Sequence, residues 1–380
     1  MRWVSVPSPA QQRALLDLAE RAARASPQVP ALHVAWASAL EDSGEQDEAL
    51  GRLEAACRLF PDDEAVHSAF ASALGRAGRI DAALAQVERW TAAAWARKLE
   101  FRLLRRAGRL ERLEEREAAL AEADPAAPDL LEYRAQKWHD CPEAVLRAAC
   151  EAQARDPGSM QALYHKALAL VQLGRSEEAA ETMGLDRFLR VVRLGAPPPF
   201  EREADFLARL AKEIVANPTL HTDPEGHANK HGLRTATFPL PGDQAGQALV
   251  RAIKAKVGEY AAALSGGHPF AAARPATAGF KSWALLFDAR GHQRLHHHPG
   301  PWLTGVYYVA APEGQTRPGA LRIGAVPPRV GSAPPWPVID VEPVPGTLVL
   351  FPSYVPHETI PSGSTSTRIS VAFDVSRAST

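Results

Sequence analysis

The sequence predicts a two-part chain: an all-α solenoid of helical hairpins, then an antiparallel β-sandwich or barrel with helices in front of it. Three observations carry this. Up to about residue 190 the 380-residue chain is rich in Ala, Leu, Arg and Glu, which favours helix, whereas from about residue 275 short Val-, Thr-, Tyr-, Phe- and Trp-bearing runs are cut by Pro and Gly, which favours strand. The N-terminal half also repeats at a fixed period. Finally, the strand candidates 281–288, 303–310, 319–324, 338–342, 346–351 and 367–374 follow one another with no long helix between them, so antiparallel connections are expected. The Gly195-Ala196-Pro197-Pro198-Pro199 stretch reads as a linker, giving a helical domain over 1–190 and a second domain over 191–380.

Bulk properties exclude several classes. Hydrophobic residues make up 46% and charged residues 23%, both globular values. A net charge of −1 gives no argument for nucleic acid or a membrane surface, and neither is expected as a partner. No run is apolar and long enough to span a membrane. The N-terminus lacks the apolar core of a signal peptide. The three cysteines, Cys57, Cys141 and Cys150, form no paired framework and no zinc spacing. A cytoplasmic protein is expected, and nothing in the sequence sets its oligomeric state.

In the first half, Ala35-Trp36-Ala37-Ser38-Ala39-Leu40, Gly44 and Ala49-Leu50 return as Ala69-Phe70-Ala71-Ser72-Ala73-Leu74, Gly78 and Ala83-Leu84, each offset by 34 residues. Leu163, Leu170, Gly174 and Ala179 carry the same spacing. Small residues let paired helices approach closely, and each Gly is placed to end the first helix in a left-handed conformation. The pattern resembles the tetratricopeptide repeat, with four or five hairpins over about residues 10–188. Such a solenoid offers a concave face for a peptide or protein.

Residues 200–265 read as helical, with amphipathic stretches at 206–215 and 248–257 that buttress a sheet. The strands after them carry the chemistry. His296 and His298 are two apart in His296-His297-His298, so an extended backbone turns both imidazoles to one side. His297 then faces away. His357 follows the apolar run 347–351 and supplies a third imidazole from a neighbouring strand. Arg368 lies eleven residues further on, in a strand of its own. Three convergent imidazoles beside a fixed cation are the layout of a mononuclear non-haem iron site that binds an anionic co-substrate.

With Trp302-Leu303-Thr304-Gly305-Val306-Tyr307-Tyr308-Val309, Gly319-Ala320-Leu321-Arg322-Ile323, Pro345-Gly346-Thr347-Leu348-Val349-Leu350-Phe351-Pro352-Ser353 and Thr367-Arg368-Ile369-Ser370, these histidines resemble the double-stranded β-helix (jelly-roll, cupin-like) of 2-oxoglutarate/Fe(II) oxygenases. The likeness is to the prolyl-hydroxylase-like branch and spans roughly residues 200–380. It implies Fe(II) on His296, His298 and His357, and 2-oxoglutarate anchored by Arg368 with Ser370, Tyr308 and Thr304 as further donors. It also implies a dioxygenase, here one hydroxylating a peptide or protein side chain recruited by the repeats. A repeat scaffold with a degenerate oxygenase domain, or an oxygenase of small metabolites, are the alternatives. One departure stands out: the family's middle ligand is an Asp or Glu, and this chain has His298. Neither Asp288 nor Asp340 has the spacing to replace it.

Overall fold

The computed structural model describes residues 1–3, 9–124, 127–222, 228–311, 319–363 and 366–378. The chain forms two compact units, one of Ser5–Tyr133 and one of Met1–Val4 with Arg134–Thr380. The packing boundary lies at 133/134, inside the stretch read as a helical solenoid. No helix among the described residues is long and apolar enough to cross a membrane.

The first unit is built of helical hairpins. Pro30–Asp42 pairs with Gln46–Leu59, Glu64–Arg76 with Ile80–Val87, and Ala94–Arg106 with Leu110–Ala123. Gly44, Gly78 and Gly108 turn the chain between partners at φ of +86°, +77° and +67°. A Cβ at any of them would meet nothing within 4 Å, so glycine is required there by backbone conformation and not by space. Trp36, Leu40, Leu53, Leu74, Leu84 and Phe101 fill the core.

The second unit begins with more of the same pattern. Met160–Gln172 and Ser176–Met183 form a hairpin around Gly174, at φ +68°. Its apolar side joins the sheet-bearing half directly. Leu163, Leu170 and Met183 share one core with Phe206, Leu210, Leu249, Ile253, Trp302, Leu348 and Phe373.

The strands are β1 (Arg2–Trp3), β2 (Arg190–Arg193), β3 (Leu220–His221), β4 (Asn229–Thr235), β5 (Thr277–Gln293), β6 (Leu303–Ala310), β7 (Leu321–Ile323), β8 (Ile339–Val341), β9 (Thr347–Pro352), β10 (His357–Thr359) and β11 (Arg368–Arg377). The larger sheet runs β2-β9-β6-β11-β5-β4-β3, with β1 added parallel to β5. The smaller sheet runs β10-β7-β8. Helices Glu203–Val215 and Gln244–Ala263 cover one face of the larger sheet with the amphipathic stretches expected of them. Two differences from the sequence reading appear here. β3 and β4 lie inside the stretch read as helical, and β5 is 17 residues long where 281–288 was expected.

Side chains alternate along β11. Ile369, Val371, Phe373 and Val375 enter the shared core, which sends Arg368, Ser370, Ala372 and Asp374 to the opposite face. Register then fixes their neighbours across β6: Ser370 opposes Tyr308 and Asp374 opposes Thr304.

Candidate metal centre

His296 and His298 lie just past the end of β5, in extended chain that is not part of a regular strand. Two backbone bonds tie His296 to His357, from His296 N to His357 O at 3.0 Å and back at 2.9 Å, and His298 N donates to Ser353 O at 2.8 Å. Extended geometry is kept, so the two-residue spacing acts as expected. One ring nitrogen from each of His296, His298 and His357 lies within 4.8 Å of the others. His297 turns away. Its ring stacks on Tyr164 at 3.7 Å, and its Nε2 is 2.8 Å from Gln161 Oε1.

The protonation states suit metal binding. Burial first, then the neighbouring His298, brings His296 down to about 4. Burial, then His296 and His298, holds His357 well below the usual imidazole range. Both rings are therefore neutral at pH 7. Each has Nδ1 against a backbone carbonyl: Arg294 O at 2.7 Å for His296 and Val355 O at 3.0 Å for His357. A carbonyl only accepts, so Nδ1 carries the hydrogen and Nε2 keeps its lone pair. His298 places Nδ1 2.7 Å from Asp374 Oδ1, a carboxylate acceptor that puts a hydrogen on Nδ1.

Behind the triad is a buried cavity between the two sheets, lined by Tyr308, Arg368 and Ser370 from the larger and by Leu321, His357 and Thr359 from the smaller. Arg368 is 3% exposed. It donates from Nη1 to Gly319 O at 2.7 Å and from Nη2 to Thr359 Oγ1 at 3.4 Å, and its guanidinium lies 4.8 Å from the Phe287 ring. No carboxylate among the described residues pairs with it, and burial brings its pKa down to about 10. Its Nε, the Tyr308 hydroxyl and the Ser370 hydroxyl are all buried without a hydrogen-bond partner. Buried polar groups are rarely left so, and a cation with two hydroxyls converging in one cavity fits a carboxylate. Tyr308 itself is pushed up to about 12 by burial, so it stays a neutral donor. Thr304 sits at the other end. Its hydroxyl donates to Phe373 O at 3.1 Å and is 3.4 Å from His298 Nδ1, away from the Arg368 group.

A second cavity of about 450 Å³ opens on the other side of the histidines, lined in part by Arg234, Lys281, Trp283, Gln293 and His296. His298, Trp283 and Gln293 border both cavities, so the triad stands at their junction. Sequence reasoning missed Asp374, Gln293 and Thr359. Of the carboxylates it weighed, Asp340 pairs with Arg322 at 2.9 and 3.0 Å, and Asp288 accepts from Arg290 N.

Comparison with known proteins agrees with the chemistry. Residues 281–374 match the family model described as "Putative 2OG-Fe(II) oxygenase". Over those residues the chain is similar to the 2-oxoglutarate/Fe(II) oxygenase family. Residues 30–73 match a tetratricopeptide-repeat model. The family implies Fe(II) and 2-oxoglutarate, and the histidine triad is a donor set that suits iron. Among solved structures, the chain is similar to a prolyl-4-hydroxylase from Pseudomonas putida at 19% identity, over 56% of this chain and 100% of that one, with a TM-score of 0.36. A Trichoplax adhaerens prolyl hydroxylase, solved with a hypoxia inducible factor oxygen degradation domain peptide fragment, is 13% identical over 54% and 92%, at 0.35. YrrB, a tetratricopeptide protein with an unusual peptide-binding site, is 12% identical over 44% and 91%, at 0.34. No curated protein matches the chain.

Proposed function

We propose that this chain is a non-haem Fe(II)- and 2-oxoglutarate-dependent dioxygenase that hydroxylates a peptide or protein side chain. The observation that carries the reading is the Arg368 guanidinium, without a carboxylate partner and buried with the Tyr308 and Ser370 hydroxyls directly behind the three imidazoles. Such a cation is costly unless a ligand completes it.

His296, His298 and His357 would hold the iron through Nε2. When bound, iron and 2-oxoglutarate together supply an oxidant able to attack an unactivated C–H bond. The residues of the chain do the rest. Arg368 would hold a carboxylate of 2-oxoglutarate with its planar fork, and the Ser370 and Tyr308 hydroxyls would donate to it. Phe287, Leu285, Leu321 and Phe351 surround that end with apolar surface and exclude water. The outer cavity leaves the opposite side of the triad open to a side chain entering past Trp283. A substrate presented on a peptide is favoured because the repeats of Ser5–Tyr133 offer a surface larger than a metabolite requires.

The test is anaerobic binding of 2-oxoglutarate to the iron-loaded protein, followed by oxygen-dependent formation of succinate. Wild type should do both, and His357→Ala should do neither. Wild-type protein that binds iron but never 2-oxoglutarate would overturn the proposal.

A further inference from the structure

Resting on the reading above, we propose that Asp374 is a positioning residue that supplies, one hydrogen bond behind His298, the negative charge this metal site lacks among its ligands. Three observations meet here. The Asp374 carboxylate lies 2.7 Å from His298 Nδ1, with both side chains largely buried. No Lys or Arg among the described residues pairs with Asp374, so the carboxylate is not held as half of a surface ion pair. The other two histidines use backbone carbonyls two residues before them, Arg294 O and Val355 O. Only His298 takes its acceptor from a distant strand, and only that acceptor is charged.

The placement follows from strand geometry. From Arg368, every second residue of β11 faces the site, through Ser370 and Ala372 to Asp374. The register sets Asp374 between Thr304 on β6 and Lys281 on β5; the Thr304 hydroxyl is already spent on Phe373 O, and the Lys281 ammonium makes no ion pair with the carboxylate. The carboxylate is thus left to the imidazole.

Charge explains why this matters. With a divalent ion on three neutral rings, the Arg368 cation behind it and a dicarboxylate between them, the enclosed cluster would carry one net positive charge. Asp374 brings it to neutrality, and a buried uncompensated charge is expensive. The hydrogen bond also fixes the tautomer with Nε2 toward the ion and makes that nitrogen a better donor.

The experiment measures Co(II) and anaerobic Fe(II) affinity of full-length wild type, Asp374→Asn, His298→Asp and the double variant, together with the reduction potential of bound iron. Asparagine keeps the acceptor and the shape, and removes the charge. Asp374→Asn should weaken metal binding about 10- to 100-fold and raise the potential, while the metal-free unfolding midpoint stays in place. In the His298→Asp background the same change should leave metal affinity unchanged or improve it, because two carboxylates would otherwise adjoin. An equal loss in both backgrounds means a merely structural role and overturns the inference. So does an Asp374→Asn protein within twofold of wild type. Either result leaves the dioxygenase reading standing, whereas wild type that holds no Co(II) or Fe(II) removes both.

Discussion

Replacing Arg368 by methionine should barely change the stability of the ligand-free protein and should abolish its response to 2-oxoglutarate. The magnitude follows from what surrounds the guanidinium. Burial brings its pKa from 12.5 to about 10, so keeping the side chain charged costs about 3 kcal/mol at 1.36 kcal/mol per unit. Against this stand one good hydrogen bond to Gly319 O and a long one to Thr359 Oγ1, together about 1–2 kcal/mol. The Phe287 ring adds about 0.5–1 kcal/mol. Methionine refills most of the volume. The terms nearly cancel, and the Arg368→Met protein should unfold within about 1 kcal/mol of wild type in urea. Breaking a true buried ion pair costs about 3–5 kcal/mol. In the presence of Co(II), 2-oxoglutarate at a hundred times its Kd should stabilise wild type by about 2.7 kcal/mol and the variant by nothing measurable. A loss of 3 kcal/mol or more without ligand would mean that Arg368 is a structural residue. Full stabilisation of the variant by 2-oxoglutarate would mean that the anion binds elsewhere.

Tyr308→Phe removes a buried hydroxyl that has no partner. The ligand-free unfolding midpoint should hold or rise, while calorimetry should show 2-oxoglutarate binding weakened about tenfold; unchanged affinity would take Tyr308 out of the site. The metal-free protein should lose stability as pH falls from about 6.5 toward 4. Over that window the unfolded chain protonates His296 and His357, and the folded chain, with both depressed, does not; the slope approaches about 1.4 kcal/mol per pH unit for each. Urea midpoints in chelator should show this, with a shallower slope for His296→Gln, and an equal slope in that variant would assign the effect to other groups. A chain begun at Arg134 should unfold cooperatively, whereas one begun at residue 190 loses Leu163, Leu170, Met183 and Phe188 from the shared core and should aggregate. A well-behaved protein beginning at residue 190 would contradict the packing boundary.

The legible parts of this chain are those in which spacing alone sets geometry. A 34-residue offset marks hairpins because each turn needs a glycine at positive φ. His296 and His298 converge because extended chain alternates, whether or not the segment is a regular strand. The illegible parts depend on a partner. Asn229–Thr235 has few β-branched residues and pairs with β5 through tertiary packing. Its Gly232 is needed because a Cβ there would lie 2.2 Å from the Phe287 ring, a constraint no local pattern displays. The hairpin around Gly174 reads like its predecessors, yet its apolar face joins the sheet domain. Repeat spacing gives the hairpin and not the surface that it covers. Asp374 could have been found: counting by twos from Arg368 reaches it, but its meaning depends on the register with Thr304, which the sequence does not fix.

The middle histidine gives the helices of the second unit a defined place in the chemistry. The segment bearing His296 and His298 is held from one side by backbone bonds to His357 and Ser353. From the other side His297 meets Tyr164 and Gln161, and Gln161 Nε2 in turn lies 2.7 Å from His165 Nε2. All three helical residues are buried, so their positions are set by the packing of Met160–Gln172 and not by solvent. The extended chain that carries His296 and His298 follows β5 and is bridged to β10 at His357 alone, so the contacts of His297 add a restraint that strand pairing does not supply. The hairpin around Gly174 therefore serves as scaffold for the segment bearing His296 and His298. His297→Ala would leave all three candidate ligands in the chain and remove the anchor on their backbone. It should therefore weaken Co(II) binding without changing the number of metal ions bound, and wild-type affinity in that variant would show that β10 alone holds the site.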